Sequence, residues 1–253
     1  MTNATERPVE PPRDARPPSL PRTARERARA EITAEILAAA RRYLATDGAS
    51  ALSLRAIARD LGMASSALYR YFKNRDDLLT RLVIDAYDSL GSAAEASEAA
   101  VDRADLPGRF AATCQAVRTW ALANPNEYAL IYGSPVPGYV APADTVGPAI
   151  RVSVLLLRVL IDAAGSGRPP AGDAWDAVAP DAAAALAPVL SQLPPGIPTA
   201  LVQRGLMVWT GLFGVVSFEL YGQLHQVVGE DPADRDAFFS ECVRRWIAFM
   251  DLS

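Results

Sequence analysis

The stretch that most constrains the fold is Leu52–Leu79, because it reads as two short helices joined by a tight turn. Ser53 is a candidate N-cap for the first helix, and Gly62 follows that helix where the chain would turn through positive φ. The apolar positions between them have the i, i+3, i+4, i+7 spacing of one helical face, and they are Leu54, Ile57, Ala58 and Leu61. Two short helices around a three- to four-residue turn that contains glycine predict a helix-turn-helix.

The second short helix, predicted over Ser66–Phe72 with Ser65 as its cap, is informative because of its outward face. Leu68 and Phe72 supply the inward side of this helix. The hydroxyl, guanidinium and tyrosine side chains of its outward face are therefore not needed to build a core. Donors beside the positive end of a helix suit insertion into the major groove of DNA. The alternative is an ordinary helical hairpin with a polar face. The predicted DNA-contacting residues are Ser53, Arg55, Ser65, Ser66, Tyr69, Arg70, Tyr71 and Lys73.

The distribution of charge supports a nucleic-acid partner at one end only. The whole chain has a formal charge of −4, but its first 75 residues carry 14 basic and 8 acidic side chains. The remainder carries 11 basic and 21 acidic side chains. The helix-turn-helix part is therefore basic and the rest acidic, as expected if one end meets phosphates.

The same residues resemble the N-terminal domain of tetracycline-repressor (TetR) family regulators over roughly Ala30 to Leu90. The resemblance rests on residues at fixed spacing, from Leu52-Ser53-Leu54-Arg55 through Leu61-Gly62-Met63 to Tyr69-x-Tyr71-Phe72-x-Asn74. It implies that Arg55, Tyr69 and Arg70 read or approach bases, while Ser53, Tyr71 and Lys73 contact phosphates. A looser resemblance to a TetR-type ligand-binding domain covers Asn124–Tyr139 and the helix that contains Trp209.

Helical periodicity recurs along the chain and no useful stretch alternates with period two, so we predict an all-α protein. The domains expected are a Pro- and Arg-rich disordered tail over residues 1–23, a DNA-binding domain over 24–90, and a helical effector-binding and dimerisation domain over 91–253. The tail could reach a minor groove or be a passive solubilising segment. The predicted helices are Ala24–Asp47, Asp76 to about Ala100, Leu106–Ala123, Asn126–Tyr132, Asp144–Ala164, Trp175–Leu193, Pro198–Val228 and Pro232–Met250.

The second domain is rich in aromatic residues, which favours a largely apolar small-molecule site with a few polar anchors, although core packing explains any single ring. The family resemblance implies an effector, expected to be mostly apolar, with one polar or acidic group that an arginine could bind. Candidate anchors are Gln115, Arg118, Glu127, Arg151 and Thr210. The predicted ligand-binding residues are Trp120, Tyr128, Tyr132, Arg151, Leu155, Trp209 and Phe213.

Three glycines inside the helix Pro198–Val228 need a reason, because glycine costs a helix roughly 1 kcal/mol relative to alanine. The close approach of another helix is one reason, and the family resemblance places a homodimer interface on Ala200–Val227 and Ala237–Phe249. The alternative is the chain's own core. The predicted interface residues are Gly205, Val208, Leu212, Val215, Glu219, Phe239 and Trp246.

The sequence contains no recognisable catalytic or metal-binding motif. There is a single histidine, His225, and no phosphate-binding loop, nucleophile elbow or paired-histidine zinc motif. We therefore expect no enzyme activity, no metal site, no cofactor and no membrane span, and a cytoplasmic location. The leading hypothesis is a homodimeric repressor that a small effector releases from a palindromic double-stranded operator. The alternative is a helical ligand-binding or interaction module that has lost specific DNA binding.

Overall fold

The computed structural model describes residues 23–165, 178–191, 193 and 195–252. Within these ranges the chain consists of α-helices, turns and loops without a β-strand, and the prediction of an all-α protein is confirmed. Residues 1–22 of the predicted tail and Trp175, the first residue of the predicted helix Trp175–Leu193, lie outside the described residues. The α-helices are α1 (Ala24–Asp47), α2 (Leu54–Asp60), α3 (Ser65–Leu68), α4 (Arg75–Ala99), α5 (Leu106–Ala123), α6 (Pro125–Tyr132), α7 (Val146–Ala149), α8 (Arg151–Gly165), α9 (Pro180–Ala185), α10 (Ala187–Leu190), α11 (Thr199–Leu220) and α12 (Pro232–Phe249).

Local chemistry sets the ends of the N-terminal helices. Thr23 and Glu26 form a reciprocal capping box that begins α1, and Gly48 ends this helix at φ +75°. The side chain of Asn74 accepts a hydrogen bond from the Asp77 amide at the start of α4. The Asp77 carboxylate in turn accepts from the Lys73 amide, so two otherwise unpaired donors are satisfied there.

The first four helices enclose one hydrophobic core. Ile36 and Ala40 from α1, Ile57 from α2 and Leu68 from α3 are fully buried in it. The first half of α4 completes this core with Leu78, Leu79 and Leu82.

A second core lies among α5, α6, α8, α11 and α12. Its fully buried members include Phe110 and Val117 of α5, Val159 of α8, Leu212 of α11 and Phe239 of α12.

Helix α4 belongs to both cores and joins them. Its second half contributes Ala86, Leu90 and Ala94 to the C-terminal core. The predicted domain boundary after residue 90 therefore falls inside a continuous helix rather than in a linker. Helix α6 makes a second connection, because Leu130, together with Val136 and Tyr139 of the following loop, packs against the N-terminal core.

Two helices differ from the sequence prediction at their ends. Helix α3 begins at Ser65 and ends at Leu68, with Ala64 rather than Ser65 at the N-cap position. After Leu68 the chain continues in a tighter turn, since the Tyr71 amide donates to the Leu68 carbonyl three residues back. Helix α11 ends at Leu220 rather than at Val228 because Gly222 adopts φ +81°, and the Leu224 amide then donates to the Phe218 carbonyl.

Prolines divide two other predicted helices. The stretch predicted as Asp144–Ala164 is a 3-10 turn followed by α7 and α8, with Pro148 inside α7. In the described part of Trp175–Leu193, Pro180 begins α9 and Pro188 lies in the first turn of α10. Proline is tolerated at these positions because the first-turn amides have no intrahelical partner.

Candidate DNA-binding surface and effector-binding core

The turn between α2 and α3 has the geometry that the sequence predicts. Gly62 lies at φ +63°, which side-chain-bearing residues adopt rarely, and the Met63 amide donates to the Ala58 carbonyl over 2.8 Å. Leu54 and Ile57 on α2 and Leu68 on α3 are buried and hold the two helices together. The Ser53 hydroxyl makes no capping hydrogen bond to α2, in contrast to the sequence expectation. It therefore stays available to another acceptor or donor at this surface.

Most of the predicted DNA-contacting side chains lie on the exposed side of this motif. Tyr69 is 43% exposed, and Ser53 and Tyr71 are half-buried. Among the described residues, no carboxylate forms an ion pair with the basic members of the set, so their charge is uncompensated. The exposed members besides Tyr69 are Arg55, Ser65, Ser66, Arg70 and Lys73.

Two arginines that were not among the sequence candidates hold the backbone next to this surface in place. The Arg29 guanidinium of α1 lies over the Tyr71 ring, 5.1 Å from its centroid, and donates to the Arg70 carbonyl. The Arg75 guanidinium donates to the carbonyls of Ala49 (2.9 Å) and Ser50 (3.3 Å), so it ties the start of α4 to the turn after α1. Sequence offers no signal for either contact, because the partners lie 25 or more residues away.

Four of the predicted ligand-binding residues form a contiguous aromatic row. The Tyr132 ring lies 5.1 Å from Tyr128 and 4.4 Å from Phe213, and Phe213 lies 5.9 Å from Trp209. Tyr87 of α4 extends the row, with its ring 5.9 Å from that of Tyr132. This row crosses the C-terminal core from α11 through α6 to α4.

The hydroxyl groups of the aromatic row are hydrogen-bonded or buried. Tyr128 is fully buried, and its hydroxyl lies 2.8 Å from that of Ser217. Burial raises the pKa of Tyr128 to about 12 and also raises the pKa of Tyr132. The Tyr87 hydroxyl donates to the Ile131 carbonyl and so joins α4 to α6.

The other three predicted ligand-binding residues lie apart from the aromatic row. Leu155 is buried in the core, and the Trp120 indole donates to the Ser89 hydroxyl. Arg151, predicted as a polar anchor, instead crosses the surface of α4. Its guanidinium donates to the Asp88 side chain (2.8 Å) and to both Glu95 carboxylate oxygens (2.7 and 2.9 Å). These bonds raise the pKa of Arg151 and lower that of Glu95.

An apolar cavity of about 290 Å³ lies between α8 and α11, beside the aromatic row. Of the predicted ligand-binding residues, Trp209 lines it. Gly205 brings the two helices together here, since an added Cβ would lie 2.7 Å from Cδ1 of Leu160. Its lining residues are Ile150, Ser153, Val154, Leu156, Leu157, Leu160, Val189, Leu193, Val202, Gly205, Leu206 and Trp209.

Several predicted dimer residues point into the chain's own core. Val208, Leu212 and Phe239 are buried in the C-terminal core. The Glu219 carboxylate accepts two hydrogen bonds of 2.7 Å from the Arg118 guanidinium, which also contacts Asp236. These side chains leave little surface for a partner. The apolarity of Val208, Leu212 and Phe239 is explained by the chain's own core, which the sequence pattern could not distinguish from an interface.

The opposite face of α11 is apolar and uncovered. Met207 is 51% exposed and Phe218 is 54% exposed, with Tyr221 on the same side and Gly214 open to space. Val215 and Trp246 are half-buried, and Trp246 packs near Gly211. Among the described residues, α11 is the one helix long and apolar enough to cross a membrane by length and composition alone. This is weak evidence for a span, because a core helix passes the same test.

Comparisons with known proteins agree with this architecture. The family model "Bacterial regulatory proteins, tetR family" matches residues 36–82, and "Tetracyclin repressor-like, C-terminal domain" matches residues 110–246. The HTH-type transcriptional regulator Rv1816 of Mycobacterium tuberculosis (strain ATCC 25618 / H37Rv) is 40% identical over 218 residues, covering 82% of this chain and 88% of that protein. The regulator Mb1846 of Mycobacterium bovis matches to the same extent.

Solved structures share the fold. The crystal structure of regulatory protein SCO4313 superposes with a TM-score of 0.71 at 36% identity, covering 89% of this chain and all of that one. A bacterial regulatory protein in the tetR family from Rhodococcus RHA1, at 18% identity and a TM-score of 0.51, shares the fold over 86% of this chain and 96% of its own. With its helix-turn-helix, its second helical core and these relatives, the chain belongs to the TetR family of transcriptional regulators.

Proposed function

We propose that this regulator is a homodimeric repressor that binds a palindromic operator and is released by a small apolar effector. The observation that carries the proposal is the exposed α2–α3 surface, which presents Arg55, Tyr69, Arg70 and Lys73 without a paired carboxylate among the described residues. Unpaired cations on a motif of this shape favour phosphate and base contacts. We expect such a protein to act in the cytoplasm, where its operator is.

The proposed dimer partner is a second copy of the chain, seated on the exposed face of α11. Met207, Gly214 and Phe218 form an apolar stripe at helical spacing, and the half-buried Phe238 and Trp246 lie on the neighbouring α12. An uncovered apolar stripe of this kind is typical of an interaction site. Two-fold pairing would hold two copies of α3 about 34–36 Å apart, one turn of DNA, which favours a palindromic operator.

The proposed route from effector to DNA runs through α4. Helix α8 lines the cavity on one side, and its first residue, Arg151, binds α4 at Asp88 and Glu95. The N-terminal half of α4 is part of the N-terminal core, which carries the helix-turn-helix. A ligand that moves α8 would therefore move α4 and change the separation of the two recognition helices. Its effect is limited to its differential affinity for the two forms, typically about 1–3 kcal/mol.

A second contact supports the same route. Arg41 of α1 lies 3.1 Å from the Asp85 carboxylate of α4 and 3.9 Å from the Glu127 carboxylate of α6. Tyr139, in the loop after α6, lies 3.0 Å from the Thr80 hydroxyl of α4. These contacts connect the N-terminal core to both α4 and α6, so a movement of either helix would also move this core.

The test is selection of genomic fragments by the purified protein, followed by footprinting. We expect a fragment that contains an inverted repeat, protected over two half-sites about one helical turn apart. The Tyr69→Ala variant is the comparison, and it should lose the selected fragment while its melting temperature is retained. Failure of the wild-type protein to enrich any fragment above non-specific background would instead support a ligand-binding module without operator recognition.

A further inference from the structure

The cavity between α8 and α11 has no charged side chain in its described lining. Its walls are aliphatic apart from the Ser153 hydroxyl and the Trp209 indole. We infer that the effector is an uncharged molecule, about the size of two fused rings, with at most one hydrogen-bonding group. The inference rests on the proposed function, and it replaces the expectation that an arginine anchors an acidic effector.

Two arginines that the sequence favoured as polar anchors, Arg118 and Arg151, have partners elsewhere. Arg151 binds Asp88 and Glu95 on α4. Arg118 binds Glu219 and Asp236. Neither arginine is among the described lining residues, so neither could pair with an anionic ligand there without breaking an existing ion pair.

The cost of burying a ligand group without a partner is much larger for an anionic ligand than for a neutral one. An ionised carboxylate in an apolar site without a counter-charge is strongly disfavoured relative to water, whereas a neutral hydroxyl needs only one hydrogen bond. Ser153 can donate or accept that bond, and the Trp209 indole N–H can donate it. The described lining therefore selects against acids and accepts alcohols, phenols and ketones.

The volume limits the size of the ligand. A dry apolar cavity of roughly 150 Å³ admits benzene. The cavity here, at about 290 Å³, has about twice that space. A bicyclic aromatic molecule, or an aliphatic one of similar volume, is the expected class.

The experiment compares two probes with the same fused rings and different charge, 2-naphthol and 2-naphthoate, by isothermal titration calorimetry at pH 7 with the full chain. We expect 2-naphthol to bind at least tenfold more tightly than 2-naphthoate. Equal or tighter binding of 2-naphthoate would overturn the inference.

Variants place the probe in the cavity. Ser153→Phe would fill the space beside Trp209 and should weaken 2-naphthol binding at least tenfold, and Val154→Phe serves as a second filling variant should the first fail to fold. The control is Val140→Phe, because Val140 is 86% exposed and lies outside the lining. If both filling variants fold and bind 2-naphthol as the wild type does, the inference is wrong.

A third variant tests charge directly. Ser153→Lys places an ammonium group at the cavity and should reverse the preference toward 2-naphthoate. Unchanged selectivity in a folded Ser153→Lys protein would contradict the role given to charge.

The release of DNA is measured separately, by operator affinity with and without saturating 2-naphthol. Binding of 2-naphthol in the cavity without any change in operator affinity would contradict release by an effector, while the preference for neutral ligands would stand. Binding of 2-naphthoate with full operator release would contradict the preference for neutral ligands, while release by an effector would stand.

Discussion

The Arg151 guanidinium lies directly over Gly91, and this contact joins α8 to α4. A Cβ at Gly91 would stand 2.7 Å from Nε of Arg151 and 2.9 Å from its Cζ. Without that atom the guanidinium reaches the Asp88 carbonyl, the Ser92 hydroxyl and the Glu95 carboxylate along one face of α4. A glycine inside a helix is unfavourable by itself, so its place here is explained by the arginine that covers it.

The first prediction concerns the coupling of these two residues. Gly91→Ala should give little or no gain in the free energy of unfolding in the wild type, because the methyl group displaces the guanidinium. In an Arg151→Ala background the same substitution should stabilise the protein by about 1 kcal/mol, the normal gain of alanine over glycine in a helix. The double-mutant cycle, measured by urea denaturation, should give an interaction energy of about 0.5–3 kcal/mol.

Gly147→Ala is the control for this cycle, since its added Cβ would contact nothing within 4 Å. Its effect should be the same with and without Arg151. Additive free energies for Gly91→Ala and Arg151→Ala would show that the two residues do not interact.

The second prediction concerns DNA contacts. Arg55→Ala and Lys73→Ala should each weaken operator binding, and each substitution that removes a phosphate contact should reduce the slope of log affinity against log salt by about 1. Fluorescence anisotropy at several salt concentrations gives both quantities. Arg158→Ala is the control, because Arg158 is exposed on α8, outside the DNA-binding motif. An equal loss in this control would point to general electrostatics rather than to a specific surface.

The third prediction concerns assembly. Phe218→Asp should convert the proposed dimer to a monomer, because Phe218 is 54% exposed and a charge there would be buried by a partner. Sedimentation velocity should show the loss of the dimer, with the helical circular dichroism spectrum unchanged. Val140→Asp, at an exposed loop position, should leave the dimer intact. A fully dimeric Phe218→Asp protein would place the interface elsewhere.

The fourth prediction concerns pH. Tyr128 has a pKa of about 12 in the folded chain, above the ordinary value of 10.0, because burial disfavours its ionised form. The unfolded state therefore loses this proton first, and the free energy of unfolding should fall as pH rises from 10 towards 12. Tyr128→Phe should show a smaller fall over the same range in urea denaturation. An identical pH dependence in the two proteins would mean that Tyr128 ionises alike in both states.

Sequence alone predicted the local elements well, because their signals are local. The apolar stripe of α2 and the positive φ of Gly62 follow from residues within a few positions of one another. The full length of α3 was not predictable, since its last turn tightens where Phe72 enters the core.

Contacts between residues far apart in the chain determine the features that the sequence did not predict. The apolar pattern of Val208, Leu212 and Phe239 has the same period in a core as in an interface, so only their burial in one chain separates the two. The partners of Arg151 lie more than 50 residues earlier in the chain, which left its role as a ligand anchor or a structural contact open. The cavity lining likewise draws on α8, α10 and α11, which no local pattern brings together.

The central claim is that two copies of this chain read one palindrome, and binding to a full operator and to its half-site tests it most directly. Fluorescence anisotropy with both duplexes, and sedimentation of the complexes for stoichiometry, supply the measurement. We predict two chains on the full operator and an affinity at least a hundredfold above that for the half-site. A single chain that binds both duplexes with equal affinity would contradict the account.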